Sequence, residues 1–238
     1  RDLRERCAEN DRLGLWAENY WDRFTNQNPT HECTCHALIA VIEACWNRQR
    51  HISFGGPIAG QRLELSALSA SVWFSCLSVY AEANPRQWGG ANCQQVIGIA
   101  CERGVLPDKI QPREYGFKHT LIGTCGKGGV NQSNGKWVPL SQFPEGWKLT
   151  SKHFMPLECV NPKNEQEYDS LLVNSYAIGI GRNGHSVPVG RIVWDGNRKL
   201  YRYKDSYDVF RYDSRPYCSG AYSVLTMTQP DSWDRPAG

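Results

Sequence analysis

Three residues carry the chemistry that the sequence offers: Cys33, His185 and Asp205. Cys33 opens a segment, Cys33–Trp46, that is apolar over most of its helical circumference, as a central buried helix is. A thiol is a poor nucleophile until it is ionised. Helix N-terminal N–H groups and a nearby imidazolium both stabilise the thiolate, and the same amides can hold an oxyanion. His185 and Asp205 lie far downstream, on the two arms of an expected β-hairpin. Asp195-Gly196-Asn197 supplies its tight turn. If Asp195 and Gly196 flank the turn centre, His185 stands opposite Ser206. If Gly196 and Asn197 do, it stands opposite Asp208. In both registers Asp205 is expected within side-chain reach of the imidazole if no bulge intervenes. A carboxylate there would fix one ring nitrogen as donor and aim the other at the thiol. The expected separation is that of a hydrogen bond, about 2.6–3.2 Å.

Rival chemistry is excluded motif by motif. Gly123–Gly129 superficially suggests a phosphate loop but lacks the Gly-Lys-Ser/Thr ending and a strand–loop–helix setting. His31-Glu32-Cys33-Thr34-Cys35 begins like a zinc-protease helix, yet its fifth residue is Cys35 rather than His. Positions 33 and 35 point about 200° apart on a helix, so they cannot converge on one ion. The ten cysteines contain no C-x-x-C pair, which argues against zinc ribbons and thioredoxin-like sites. A chain of this length needs no stapling, so mostly reduced thiols and a reduced compartment are expected. Asn131-Gln132-Ser133 is a glycosylation sequon, meaningful only in a secreted protein. His36, His51, His119 and His153 have no partner pattern. No metal and no organic cofactor is implied.

The elements that must position these residues fall into two halves. Leu3–Phe24, Cys33–Trp46, Leu65–Glu82 and Cys93–Arg103 read as helices. The third is stopped by Asn84-Pro85, and Gly104 follows the fourth. Gly123–Gly135 reads as loop. Ser175–Ile180, His185–Trp194, Lys199–Tyr203, Tyr207–Tyr212 and Ala221–Met227 read as strands. Helices first and strands second predict an α+β chain of two lobes, with the boundary near Leu106–Tyr115.

Hydrophobic residues make up 40% of the 238, with nine Trp, which is enough for a sizeable core and excludes global disorder. The longest apolar run, Ala37–Ile42, is far too short to cross a bilayer, so no membrane insertion is expected. A net charge of +3 gives no reason to invoke nucleic acid. Arg1–Gln27 lacks the long apolar segment of a secretory signal, and a removed leader stays open.

The chain resembles the papain-like cysteine peptidases. Asn26-Gln27 followed by Cys33 is similar to the family's Asn-Gln-…-Cys segment, with Gln27 six residues before the cysteine. Leu38–Ile42 and Glu43 match its aliphatic helix, and Leu65-Ser66 its second helical segment. Trp88-Gly89-Gly90 resembles its Asn-Gly-Gly turn, and Gly104-Val105-Leu106-Pro107 its Gly-Ile…Tyr-Pro stretch. Gly184-His185-Ser186-Val187 looks like Asn/Gly-His-Ala-Val, and Lys204-Asp205-Ser206-Tyr207-Asp208 like Lys-Asn-Ser-Trp-Gly. The Cys33-to-His185 gap is close to the family's usual spacing.

The resemblance implies one papain-like catalytic domain over 1–238. Its helical lobe would span about 1–110 and its antiparallel, barrel-like β lobe about 111–238, with the active-site cleft between. Cys33 would be the nucleophile, His185 the base and acid, and Asp205 its orienter. Gln27 and the Cys33 N–H would hold the oxyanion. Trp88, Gly89 and Gly90 would bind substrate, with Gly90 offering backbone hydrogen bonds to an extended chain beside a pocket shaped partly by Trp88. Cys35 is a rival nucleophile, and the spacing from Gln27 favours Cys33. The departures are specific. Thr34 replaces the family's Trp after the nucleophile, His31-Glu32 replaces Gly-Ser, and Thr30 replaces a bridging Cys. Asp205 replaces Asn, Tyr207 replaces Trp, and Leu3–Phe24 reads helical where the family has an extended arm.

The implied activity is hydrolysis of a peptide or isopeptide bond in a peptide or protein substrate. The alternative is a papain-like module with a structural or binding role in a larger assembly such as a virion. A transferase using the same three residues is a third reading.

Overall fold

The computed structural model describes residues 2–21, 33–53, 74–83, 90–106, 130–131, 136–137, 148, 151–205 and 209–228. Helices come first: α1 (Leu3–Leu13), α2 (Cys33–Ser53), α3 (Cys76–Ala83) and α4 (Cys93–Arg103). Two short strands follow, β1 (Val130–Asn131) and β2 (Lys136–Trp137). Then come β3 (Pro156–Val160), α5 (Glu165–Val173), β4 (Ile178–Arg182), β5 (His185–Asp195), β6 (Arg198–Asp205), β7 (Val209–Asp213) and β8 (Ser223–Met227). Every strand pairing is antiparallel, so the α+β expectation holds. Most of the expected lobe boundary, 107–115, lies outside the described residues.

Local chemistry explains where the elements stop. Asp2 caps α1 by accepting from the Arg4 N–H at 3.4 Å. The helix expected to run to Phe24 ends at Leu13, because Gly14 takes a left-handed turn (φ 68°) and returns its N–H to Asn10. A short 3₁₀ turn, Ala17–Asn19, follows, and 22–24 lie outside the described residues. α2 runs to Ser53, beyond the expected Trp46. Two of its polar side chains hold neighbouring segments: Asn47 Nδ2 donates to the Tyr20 carbonyl at 2.8 Å, and the Phe74 N–H donates to Glu43 Oε1 at 2.9 Å. α3 starts at Cys76, since Phe74 and Ser75 are not helical; residues 65–73 lie outside the described residues. α4 matches its expected span. Gly104 is required after it, because a Cβ there would stand 1.8 Å from the Ser151 carbonyl oxygen.

Four elements, β1, β2, β3 and α5, carry no sequence expectation of the right kind. β3 and α5 occupy a stretch that the hydrophobic pattern leaves unassigned. α5 is fixed by a reciprocal cap: Asn164 Oδ1 accepts from the Glu167 N–H at 2.9 Å, and Glu167 Oε2 accepts from the Lys163 N–H at 2.9 Å. Val130–Asn131, read as loop, pairs with Lys136–Trp137; the rest of Gly123–Gly135 lies outside the described residues. The strand expected from Ser175 begins at Ile178, because Ser175 (φ 64°) turns the chain out of α5.

The larger sheet has the order β4-β5-β6-β7, and β3 pairs with β8. A bridge between Gly179 and Tyr222 links the two. One apolar cluster joins α2, α3 and α4 to Tyr222, Val224 and Met227. At its centre Trp46, Phe74 and Phe154 meet edge-on, with centroids 4.9–6.4 Å apart. A second cluster fills the other side of the sheet, with Ile178, Val187, Val189, Ile192 and Tyr201 against Leu172 of α5. Cys7 and Trp16, although N-terminal, belong to this second cluster.

Candidate active site

The ends of three elements meet. Cys33 is the first residue of α2, His185 the first of β5, and Asp205 the last of β6. His185 Nε2 lies 3.0 Å from Asp205 Oδ1. The hairpin turn is centred on Gly196-Asn197, since Asp195 pairs with Arg198. Continued unbroken, that register would set His185 opposite Asp208, an odd number of positions from Asp205. The carboxylate would then point to the other face of the sheet. One extra residue on β5 prevents this. Val189 pairs with Tyr203 while Arg191 pairs with Arg202, so the ladder bulges at Gly190. Beyond the bulge Asp205 shares a face with Val189, Val187 and His185, one diagonal step from the imidazole.

Gly190 is fixed by packing. A Cβ there would meet the Trp21 ring at 2.4 Å and Glu18 at 2.9 Å. Arg211, which faces Tyr203 from β7, donates through Nε to Asp205 Oδ2 at 3.1 Å, so each carboxylate oxygen has its own partner. Arg182 stands directly across from His185, and its charge is met by Asp213 at 2.8 Å.

Cys33 and His185 perturb each other. Burial pushes the Cys33 thiol up, but the opposing influences prevail and its pKa lies below the ordinary thiol value. These are the hydrogen bond with His185, the Ser186 N–H, the imidazolium charge and, least, Thr34. The His185 pKa is raised, chiefly by the hydrogen bond to Cys33, against burial and with support from Asp205. Both shifts favour a thiolate–imidazolium pair. Because Nε2 is engaged with Asp205, Nδ1 is the nitrogen left for the sulfur. His36, one turn along α2, is held neutral, with its pKa pushed down to about 3 by burial and by the charges of Lys204 and His185.

Thr34, where the resembled family has Trp, is the centre of a small network. Its hydroxyl donates to the Ala91 carbonyl at 2.9 Å. With that proton committed, it accepts from Ser186 Oγ at 3.2 Å. Cys93 Sγ lies 3.5 Å from Ser186 Oγ. The network ties the starts of α2, α4 and β5 together. It also explains why Thr34, 4.0 Å from Cys33 Sγ, does little for the thiolate.

Cys35 points into the apolar core and is fully buried, whereas Cys33 faces the imidazole. Gly90 is exposed, one residue before the Ala91 carbonyl bound by Thr34. Gln27, Trp88 and Gly89 lie outside the described residues, as do Thr30, His31, Glu32 and Tyr207. Sequence reasoning missed Thr34, Ser186, Cys93 and Arg211. Only Arg211 left a signal, a cation two residues into the strand that follows Asp205 in sequence. Among the described residues no group of three His, Cys, Asp or Glu could hold a metal ion, and no helix is long and apolar enough to cross a membrane.

No protein-family model matches the sequence, and a search of curated proteins finds no match. Among solved structures, the chain is similar to a digestive procathepsin L 3 of Tenebrio molitor larval midgut. The identity is 9% and the TM-score 0.55, over 90% of this chain and 70% of that one. At that identity the likeness is one of fold: mixed helix and antiparallel sheet of the papain-like kind.

Proposed function

We propose that the chain is a cysteine-dependent hydrolase of peptide or isopeptide bonds, with Cys33 as nucleophile. The observation that supports it most is the His185–Asp205 contact at 3.0 Å, with a Cys33 thiol lowered in pKa beside the same imidazole. In this reading the Cys33 thiolate attacks the scissile carbonyl carbon. His185 Nδ1 gives its proton to the departing amine as the C–N bond breaks, leaving a thioester. The imidazole then takes a proton from water, which attacks the thioester and frees Cys33. Asp205 holds the ring in the tautomer this requires. By resemblance, Gln27 and the Cys33 N–H would receive the oxyanion, and Trp88, Gly89 and Gly90 would border the substrate.

A second reading, a papain-like module that binds without cleaving, is favoured by the burial of Cys33, which is 8% exposed. Timed alkylation separates the two. At pH about 6 a thiol with an ordinary pKa of about 8.5 is almost wholly protonated and reacts slowly. Hydrolysis predicts that Cys33 is labelled ahead of the other nine cysteines, and that a peptide-based electrophilic probe labels the native chain but not Cys33→Ala. Uniform slow labelling across all ten, with no probe adduct, favours the binding module.

A further inference from the structure

A pair of thiols that the proposed mechanism does not use lies between α4 and β3. Cys101, in the last turn of α4, has its sulfur 4.0 Å from that of Cys159 on β3. Cys159 is exposed and Cys101 partly so, which makes both accessible to a small oxidant. Neighbouring Cys45 is buried and already hydrogen-bonded to Gln49 Oε1 at 3.2 Å, so it does not compete. The two cysteines are 58 residues apart in sequence, and among the described residues the strand partner of β3 is β8.

We propose that Cys101 and Cys159 form a reversible disulfide under peroxide, clamping α4 to β3. The sulfurs stand 4.0 Å apart, and the bridge closes that gap to bonding distance, about 2.05 Å. The hydrogen bond from Cys159 brings the Cys101 thiol down to about 7, so Cys101 supplies the thiolate near neutral pH. That thiolate attacks one peroxide oxygen. An S–O bond forms, the O–O bond breaks, and hydroxide leaves to become water. Cys159 then loses its proton and attacks the Cys101 sulfur; the S–S bond forms, the S–O bond breaks, and a second water leaves. Two sulfurs are oxidised by one electron each, and one peroxide is reduced to two waters. A thiol reductant reverses the bridge by exchange. The bridge would fasten the helix whose start contacts Ser186 through Cys93 to the β3–β8 pair.

The test treats the full chain, as Cys33→Ser so that the candidate nucleophile does not consume oxidant, with one equivalent of hydrogen peroxide. Free thiols are then alkylated and the peptides mapped. The expected result is a Cys101–Cys159 linked peptide as the first bridge, lost on adding dithiothreitol. A rise in Tm of about 5–15 °C should accompany it and be absent in the additional variant Cys159→Ser. In that variant Cys101 should trap dimedone as a sulfenic acid. Separate alkylation of the two cysteines, a first bridge elsewhere, or a bridge with no rise in Tm would each overturn the proposal.

Discussion

Asp205 differs from the asparagine of the resembled family by one charge, and that charge makes it testable. With Arg211 at 3.1 Å holding one oxygen, the other is presented to His185. A charged acceptor binds the imidazole more strongly than a neutral amide does. Asp205→Asn keeps the shape and removes the charge. His185, whose pKa is raised in the folded protein, should lose part of that rise, so imidazolium gives way at lower pH. Cys33, lowered partly by the same imidazolium, should move up. Under the proposed hydrolysis, the bell of kcat/KM against pH therefore narrows from both sides, and its maximum falls by about 1 kcal/mol, roughly fivefold. A profile that keeps both limbs in place would show that Asp205 does not act through His185. The same comparison by alkylation, without substrate, should show slower Cys33 labelling at mildly acidic pH.

At the scale of elements, the hairpin shows what was legible in the sequence and what was not. Asp195-Gly196-Asn197 announces the turn through local chemistry, and Gly196 takes the positive φ (57°) that such a turn requires. α4 was legible too, because Gly104 closes its apolar period. The bulge was not. It depends on Trp21 and Glu18 pressing onto Gly190 from a segment about 170 residues away, and nothing near position 190 encodes that. Thr34 was equally opaque, since its partners Ala91 and Ser186 come from two other elements. α5 was legible in its Asn164–Glu167 cap and overlooked because its apolar face is short. Gly190→Ala follows from the bulge. Added volume against an aromatic ring and a backbone nitrogen should cost about 1–3 kcal/mol. The strain is relieved most directly by losing the bulge, which turns Asp205 to the other face. Far-UV circular dichroism should stay native while the pH-6 labelling of Cys33 slows. Unchanged labelling in a folded variant would separate the bulge from the site.

Across the whole molecule, the N-terminal segment and the sheet are joined by a buried charge. Glu18 sits on the 3₁₀ turn after α1, with its side chain 3% exposed. Arg202 of β6 reaches it with Nε at 2.9 Å and with Nη2, and Arg191 of β5 adds an Nη1 contact at 3.6 Å. The neighbouring Trp21 covers the Gly190 bulge, so one turn carries both the ion pair and the packing that sets the phase of β5. Trp16 and Cys7 extend the same union into the second apolar cluster. Breaking a buried pair from one side costs more than the pair is worth, because the partner charge stays behind. Glu18→Gln leaves Arg202 facing an amide. Since Arg202 is 22% exposed and water relieves part of the penalty, we expect a loss of about 2–3 kcal/mol rather than the upper range. For a chain of this size that lowers Tm by about 5–10 °C. The urea midpoint should fall with little change in its slope, and added salt should not restore it, as a buried pair is weakly screened. Because the turn and β5 share this contact, amide exchange should quicken on both together in the variant. Faster exchange in the 3₁₀ turn with β5 unchanged would mean that the N-terminal segment is merely laid on the sheet and does not set its register.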